Sequence, residues 1–311
     1  MLDCSVSIAG VSLQNPLIAA SGCYGFGREY EALYPLSIWG GVSLKGTTLH
    51  PKEGNPAPRV AETPCGMLNS VGLENPGIHA VVEEVLPQLK DHLQKKGIPS
   101  PVLIANIAGP TVEQMCEAVE IACQSSLISM IELNISCPNV KEGGVAFGVT
   151  CQGAGKVTRQ VRKVCTKPLM VKLSPNVTDI AAIAQAVEAE GADAVSLINT
   201  LLGMRIDIHT RRPVLRNNVG GLSGPAVFPV ALRMVWQTAQ AVKIPIVGIG
   251  GVSRWEDVVE MMLAGASGVQ MGAALFSDPM APVKTLEGLK SWMEQNGVAS
   301  LSQIVGQVAP W

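Results

Sequence analysis

The stretch IVGIGGVSRWED, residues 246–257, joins a short apolar run, a pair of glycines and a helix start. The run is continuous rather than alternating, which is typical of a parallel strand that is buried on both faces. Gly250 and Gly251 follow it directly, and Ser253 with Glu256 three residues later fits a capping box. This stretch therefore predicts one βα unit.

The same arrangement recurs along the whole chain. Eight apolar runs predict strands at 16–20, 39–45, 102–108, 130–136, 169–173, 194–199, 245–250 and 268–275. Between them, apolar residues at three- and four-residue spacing predict helices at 112–123, 152–164, 180–190, 226–242 and 255–264. Eight repeats favour an α/β fold of the (β/α)8 TIM barrel type, as one domain over residues 1–311. An open doubly wound sheet is the alternative, but no GxGxxG follows the first strand.

Several segments do not fit the repeat. Residues 5–13 predict a small N-terminal β-hairpin that caps the bottom of the barrel. The insertion 50–76 is rich in Pro, Gly and Asn, and because it follows a strand it should lie over the C-terminal face, where barrel enzymes carry their chemistry. Residues 138–152 and 205–221 are two further irregular stretches, the first interpreted as a mobile loop with glycine hinges.

Composition excludes several classes of protein. Of the 311 residues, 15% are charged and 47% hydrophobic, which excludes a disordered chain. The net charge of −2 gives no basic face for nucleic acid. The chain opens without a signal peptide and has no apolar run of about 18 residues, so a cytoplasmic protein without a membrane span is expected. Low charge with high apolarity indicates a large core or a surface covered by another subunit.

The eight cysteines and four histidines form no recognisable ligand set. None of the cysteines makes a CxxC pair, and no HExxH occurs. Reduced, mostly buried thiols and no protein-bound metal are therefore expected.

Polar residues collect where the predicted strands end. In a barrel these ends share one rim, which carries the chemistry. Two lysines at this rim are unusual, because lysine is seldom buried unless it is paired. A lysine whose tip reaches solvent would nevertheless explain either one on its own. Asparagines offer donors and acceptors for a flat ring of amides, although each alone is more often a turn residue. The set comprises Ser21, Lys45, Asn106, Asn134, Cys137, Asn139, Lys172, Asn199, Gly250, Gly251 and Gly272.

Glycines after the seventh and eighth strands predict a phosphate site. Gly250 and Gly251 follow one strand, and Gly272 with Ala273 ends the next. Backbone N–H groups in these two loops commonly bind phosphate, and glycine permits the close approach. A tight turn is the alternative for either loop alone.

Cys137 follows a predicted strand directly, and Pro138 ends that strand. Its thiolate could serve as a nucleophile or a base, whereas an inert buried thiol is the alternative. No histidine lies nearby in the sequence to form a protease-like pair.

Seven motifs occur in order along the chain: SLKGTT (43–48), NSVGLENPG (69–77), NISCPN (134–139), VKLSPN (171–176), INT (198–200), GGLSGPA (220–226) and GIGGV (248–252). Together they give the chain a close resemblance to class 1 dihydroorotate dehydrogenases. KEGGVAFG (141–148) with GGLSGPA resembles the class 1B catalytic subunit.

The resemblance implies an FMN enzyme that oxidises dihydroorotate to orotate in de novo pyrimidine (UMP) biosynthesis. FMN phosphate would lie on Gly250, Gly251, Gly272 and Ala273, and the flavin ring would meet Ala20, Ser21, Lys45, Thr47, Asn106, Asn134, Lys172, Ile198 and Gly224. Cys137 would remove a proton from C5 while hydride leaves C6 for the flavin, with Lys45 bridging flavin and substrate. Substrate would be held by Lys45, Met67, Asn69, Gly72, Leu73, Asn134, Asn139, Asn199 and Thr200.

The resemblance also implies a partner. A class 1B catalytic subunit passes electrons to NAD through a subunit that carries FAD and a 2Fe-2S cluster, with a homodimer of the catalytic chain at the core of a heterotetramer. A class 1A enzyme, which uses fumarate, shares most of the site motifs. Two remoter alternatives are a phosphosugar lyase or isomerase with Lys172 as a Schiff-base amine, and a non-enzymatic scaffold.

Overall fold

Eight parallel strands form a closed barrel at the centre of the protein. The computed structural model describes residues 2–136, 141–142, 145–309 and 311. The barrel strands are β1 (Leu17–Ala19), β2 (Gly41–Ser43), β3 (Val102–Ile107), β4 (Met130–Asn134), β5 (Leu169–Lys172), β6 (Ala194–Leu197), β7 (Ile246–Ile249) and β8 (Gly268–Met271). Strands consecutive in this series are neighbours, and β8 pairs with β1 to close the cylinder. The predicted barrel is confirmed, with every strand inside its predicted limits, and the open sheet is wrong.

Helices surround this barrel. They are α1 (Leu86–Lys96), α2 (Val112–Gln124), α3 (Cys151–Val164), α4 (Ile180–Ala189), α5 (Phe228–Ala239), α6 (Trp255–Leu263), α7 (Ala274–Ser277) and α8 (Ala281–Gln295). The five predicted helices are confirmed as α2 to α6, whereas α1, α7 and α8 were not predicted, and α7 takes up the end of the predicted strand 268–275. Short 3-10 turns lie at Leu36–Ile38, Phe147–Val149, Pro225–Val227 and Leu301–Ile304, and Ile78–Ala80 with the π-turn Val81–Val85 leads into α1.

Side-chain caps fix where several helices begin. Thr111, Thr150 and Asp179 each accept a hydrogen bond from a backbone N–H in the first turn of α2, α3 and α4. The capping box predicted from Ser253 and Glu256 is wrong by one residue. The N-cap is Arg254, and Asp257 accepts from the backbone N–H groups of residues 253 and 254. Asp257 is the residue at N3 once the helix begins at Trp255, so its carboxylate faces those donors.

An N-terminal hairpin closes the bottom of the barrel, as predicted. Its strands Val6–Ile8 and Val11–Leu13 pair antiparallel. Ile8 and Leu13 are 1% exposed and pack against a layer of interior side chains that begins with Ile18. Gly268 makes room for the hairpin, because a Cβ there would lie 2.7 Å from Ile8 Cδ1. The rest of the layer consists of Ile104, Met130, Met170, Ala194 and Val247.

An antiparallel sheet is built from the segments that leave β2 and β6. Its order is Leu201–Gly203, Gly220–Ser223, Gly66–Asn69, Val60–Thr63. The insertion 50–76, predicted as a loop, thus contains a hairpin, and the stretch 205–221 contributes a strand to the same sheet. A further pair joins Ile206–Asp207 to Arg212–Pro213. Both insertions start at the C-terminal ends of barrel strands, so this sheet extends the predicted catalytic face.

The segment after β1 contains turns rather than an α-helix. It holds all three tyrosines of the chain: Tyr24 stacks on Tyr30 at 5.0 Å between ring centroids and contacts Trp39 edge-on at 5.4 Å. The aromatic cluster covers this side of the barrel in place of a helix.

The expectation of mostly buried cysteines is wrong. The seven cysteines among the described residues are free, but Cys65 and Cys151 are exposed and Cys165 alone is fully buried. No helix in the described part of the chain has both the length and the apolar character needed to cross a membrane.

Truncation of the hairpin plug should destabilise the protein. We expect Leu13→Ala to lower the free energy of unfolding by about 2–5 kcal/mol, because it leaves a cavity beneath the barrel. Ser12→Ala, at an exposed position of the same strand, is the matched control. Urea denaturation followed by circular dichroism measures both, and a loss under about 0.5 kcal/mol for Leu13→Ala would show that the hairpin is not part of the core.

Candidate functional site

The interior of the barrel changes from apolar to polar towards its C-terminal end. Alternate residues of a strand face the same side, so Met130, Glu132 and Asn134 of β4 point into the barrel at successive levels. Met130 belongs to the apolar layer at the bottom. Glu132 lies in a polar layer above it, and Asn134 stands at the upper rim, beside Lys172 of β5.

The middle layer is a hydrogen-bonded network around the carboxylate of Glu132. Ser43 Oγ and Asn106 Nδ2 donate to Glu132 Oε2 at 2.6 and 2.5 Å. Ser196 Oγ and Gln270 Nε2 donate to Oε1 at 2.8 and 2.7 Å. All five side chains have an exposure of 0%. Five different strands therefore supply one fully buried and fully paired carboxylate.

The charge of Glu132 is held by its surroundings. Burial alone would raise the pKa of Glu132, but the positive charge of Lys172 and the hydrogen bonds from Ser43, Asn106 and Ser196 outweigh it. The pKa therefore lies below its ordinary value and the group is ionised at neutral pH. Sequence reasoning missed Glu132, although a lone carboxylate inside the apolar run 130–136 is a usable signal for a paired interior charge.

Lys45 occupies the rim above β2. Burial lowers the pKa of Lys45, and the negative charge of Glu74 partly offsets this effect. Its Nζ lies 3.9 Å from the position that a Cβ on Gly22 would take. Cys23 is a second missed neighbour of the site: burial raises its pKa to about 11, so this thiol is protonated at neutral pH. Its Sγ would lie 3.2 Å from a Cβ on Gly272.

The asparagines of the rim differ in what they contact. Asn134 Oδ1 accepts from Ser136 Oγ at 2.7 Å and from Asn199 Nδ2 at 3.4 Å. Asn199 Oδ1 accepts from the backbone N–H of Thr200 at 2.8 Å. Asn106 is different, because its Oδ1 is buried without a hydrogen-bond partner. Thr47 joins the rim through its backbone N–H, which donates to the carbonyl oxygen of Asn106 at 2.9 Å.

The predicted phosphate glycines after β7 lie against Gly224 and Phe228. Gly250 and Gly251 have φ of +125° and +74°, and Gly224 has +104°. A Cβ on Gly251 would lie 2.7 Å from the backbone nitrogen of Phe228 and 2.9 Å from the carbonyl oxygen of Gly224. Ile198, which follows a cis peptide bond, packs against Gly250. Only glycine fits this turn, because the backbone between β7 and the sheet is too closely packed for a Cβ.

The second predicted phosphate loop lies beside β1. The backbone N–H of Ala20 donates to the carbonyl oxygen of Met271 at 2.9 Å, and a Cβ on Gly272 would lie 3.2 Å from Ala20 Cβ. Ala273 is the N-cap of α7. Ser21 lies close by, with its Oγ 3.7 Å from the position of a Cβ on Gly46.

The predicted substrate residues lie on the antiparallel sheet and its connections. Asn69 ends the strand Gly66–Asn69, in which Met67 pairs with Ser223. Gly72 and Leu73 have φ of +85° and +59°, and Leu73 Cδ2 would lie 3.3 Å from a Cβ on Gly46, at the rim.

The remaining predicted residues are Thr200, Cys137 and Asn139. Thr200 packs against Gly221 of the sheet, close to Asn199 at the end of β6. Cys137 and Asn139 lie outside the described residues, as does part of the stretch 138–152, so their predicted roles stay predictions. Among the residues that the structure describes, no cluster of three or more His, Cys, Asp and Glu side chains could hold a metal ion.

Comparisons with known proteins agree on one family. The family model described as "Dihydroorotate dehydrogenase" matches residues 3–293. A protein from Parabacteroides distasonis named "Dihydroorotate dehydrogenase B (NAD(+)), catalytic subunit" is 52% identical over 98% of each chain. A Geobacillus kaustophilus protein of the same name is 50% identical over 97% of this chain and 95% of its own.

A solved structure supports the fold independently. The crystal structure of DHODH in complex with ferulenol from Eimeria tenella superimposes with a TM-score of 0.80, covering 98% of this chain and 88% of the other. At 21% sequence identity, this likeness concerns the fold alone.

The glycine turn can be tested apart from any activity. We expect Gly251→Ala to lower the free energy of unfolding by clearly more than Gly297→Ala. Both positions have positive φ, but Gly297 has nothing within 4 Å of a new Cβ, whereas Gly251 has backbone atoms below 3 Å. Urea denaturation of both variants measures the difference. Gly297→Ala should lower the free energy of unfolding by about 1 kcal/mol from backbone strain alone. Equal losses in the two variants would show that Gly251 is not closely packed.

Proposed function

The chain belongs to the dihydroorotate dehydrogenase family, and from this premise we propose that it oxidises dihydroorotate to orotate in de novo pyrimidine (UMP) biosynthesis. The observation that carries the proposal is that Lys45, Lys172 and the rim asparagines lie at the same end of the barrel as a turn that only glycine fits. We propose further that residues 1–311 act as one FMN-binding domain.

The proposed cofactor is FMN, which takes up hydride from the substrate when it is bound. Two features of the chain fit this group. Positive φ and close packing exclude a Cβ at Gly224, Gly250 and Gly251, so this turn is bare backbone whose N–H groups can approach a phosphate. The buried Asn106 Oδ1 lacks a hydrogen-bond partner and offers an acceptor to a ring N–H. Lys172 would stabilise the negative charge that gathers on a reduced flavin.

Around these features we assign the cofactor-binding set from the resemblance. Ala20, Ser21, Lys45, Thr47, Asn134 and Ile198 would complete the ring site, and Gly272 with Ala273 the phosphate site. Burial lowers the pKa of Lys45, and a substrate carboxylate close to it would favour its charged form.

Substrate oxidation removes one proton and one hydride. Cys137 would take the proton from C5, and the hydride would leave C6 for the cofactor, so that the ring gains a C5–C6 double bond. Asn69, Asn134, Asn139, Asn199 and Thr200 would hold the pyrimidine ring and its carboxylate, helped by the backbone at Met67, Gly72 and Leu73.

We propose NAD as the final acceptor, reached through a separate subunit that carries FAD and a 2Fe-2S cluster. The relatives are named "catalytic subunit", which implies a second component in those proteins. Exposed apolar side chains of this chain also support a covered surface, because Leu202, Met204, Ile206 and Ile208 are 48–79% exposed within one segment. A homodimer of this chain would form the core of a heterotetramer, located in the cytoplasm.

The cofactor and the acceptor can be tested together. Acid should release FMN from the purified chain. The lone chain should oxidise dihydroorotate with an artificial acceptor but reduce NAD negligibly, and the addition of the partner subunit should restore NAD reduction. Release of FAD, or of no flavin from folded protein, contradicts the cofactor. Brisk turnover with fumarate and no second subunit would instead favour the class 1A alternative.

The proposed base makes a second test. We expect Cys137→Ala to keep FMN and orotate binding and to lose about 10²–10⁴-fold in turnover, the usual contribution of a general base. Cys137→Ser should keep some activity, mainly at high pH, because a hydroxyl is a poorer acid than a thiol. Cys151→Ala, at the exposed start of α3, is the matched control. Steady-state assays against pH measure all three, and wild-type turnover in Cys137→Ala would place the base elsewhere.

A further inference from the structure

Glu132 lies below the proposed cofactor site, and the proposed mechanism does not use it. A buried carboxylate costs several kcal/mol unless it is paired and hydrogen-bonded, and a purely structural layer could be apolar instead. Yet five strands supply Glu132 and its four partners. A buried charge with this desolvation cost indicates a role towards the layer above it.

The carboxylate fixes the orientation of two side-chain amides. An ionised carboxylate can only accept hydrogen bonds, so Asn106 and Gln270 must turn their nitrogens towards Glu132. Their oxygens consequently face away from it. Both oxygens are buried, and neither has a hydrogen-bond partner. The carboxylate thus fixes two acceptor oxygens that have no hydrogen-bond partner within the protein itself.

One of these acceptors faces the rim. Asn106 Oδ1 lies 3.0 Å from the position of a Cβ on Gly46, a point that is 3.7 Å from Ser21 Oγ and 3.3 Å from Leu73 Cδ2. Gly46 follows Lys45 directly, so the oxygen is directed at the place where the proposed flavin ring would lie. An oxidised flavin ring carries one N–H donor, and a fixed acceptor would recognise it.

The same carboxylate sets the charge beneath the ring. Lys172 is 6% exposed and pairs with Asn134, one inward-facing level above Glu132, and its positive charge helps to hold the pKa of Glu132 low. In a buried site two such charges compensate each other in part. Glu132 would therefore weaken the stabilisation that Lys172 gives to negative charge on a reduced cofactor.

We propose that Glu132 is a positioning residue of the flavin site: it holds Asn106 Oδ1 and Gln270 Oε1 as acceptors and moderates the charge of Lys172. The inference rests on the proposed function, because it requires FMN above the polar layer. A structural role alone would change only the stability of the protein. A positioning role would change how tightly the flavin is held and how readily it is reduced.

The test is the variant Glu132→Gln in the full chain. A glutamine presents one acceptor and one donor, so either Asn106 or Gln270 must turn and offer N–H in place of an acceptor. We expect FMN to bind at least about tenfold more weakly, as loss of a hydrogen bond in a buried site predicts. The reduction potential of the remaining bound flavin should become more positive, because the opposing negative charge is gone.

Two further variants separate charge from geometry. Lys172→Ala should shift the potential in the opposite direction, to more negative values. Glu132→Asp keeps the charge but is one methylene shorter, so it should weaken FMN binding and leave the potential close to wild type. Glu294→Gln, at an exposed position of α8, is the charge-matched control and should change neither quantity.

The outcomes can be told apart. FMN titration followed by fluorescence gives the affinity, redox titration gives the potential, and thermal unfolding confirms that each variant is folded. A wild-type chain with no affinity for FMN overturns the proposed function and this inference together. A wild-type chain that binds FMN, with a folded Glu132→Gln of equal affinity and potential, overturns the inference alone. If Glu132→Gln does not fold, a folded Glu132→Asp that binds FMN as wild type does overturns it as well.

Discussion

A charge buried at the centre of a barrel must find its partners inside the barrel, and Glu132 finds them on four other strands. Removal of any one donor would leave the carboxylate short of a hydrogen bond in a site that water does not reach. The network therefore couples the register of β2, β3, β4, β6 and β8, since Ser43, Asn106, Ser196 and Gln270 must arrive at the same level. Because the strands are parallel and staggered around the cylinder, this level also defines what lies above it and what lies below.

Below that level the barrel behaves as an ordinary core. Ile8 and Leu13 of the hairpin enter between strands where Gly268 and Gly41 leave space, and they seal the bottom with aliphatic side chains. Above it, lysine and asparagine side chains stand at strand ends. The barrel thus separates stability from chemistry along its axis, as the fold generally does at its two faces. The polar layer lies between the two halves. It is as buried as the core below it and carries a charge, as the face above it does.

The upper face is shaped mainly by close backbone contacts. Gly224 and Gly251 allow the antiparallel sheet to approach the turn after β7, and Gly221 receives Thr200 at a distance that no larger residue would permit. The sheet itself combines strands from two insertions that are distant in the sequence. The rim is therefore covered by segments that follow two different barrel strands, β2 and β6. The proposed cofactor phosphate and substrate ring would meet backbone N–H groups and fixed amides on this face.

The sequence by itself determined the barrel, the hairpin plug and the helices α2 to α6, because continuous apolar runs and helical spacing are local patterns. It also marked Lys45, Lys172 and the asparagines, since polar residues at strand ends share one rim in any parallel barrel. Local patterns did not reveal α1, the hairpin inside 50–76, or the position of the helix cap at Arg254. Only the tertiary structure decided which groups surround Glu132. A carboxylate in an apolar run has no local partner, and its four donors are separated from it by 26 to 138 residues along the chain. Such a network exists only once the cylinder has closed.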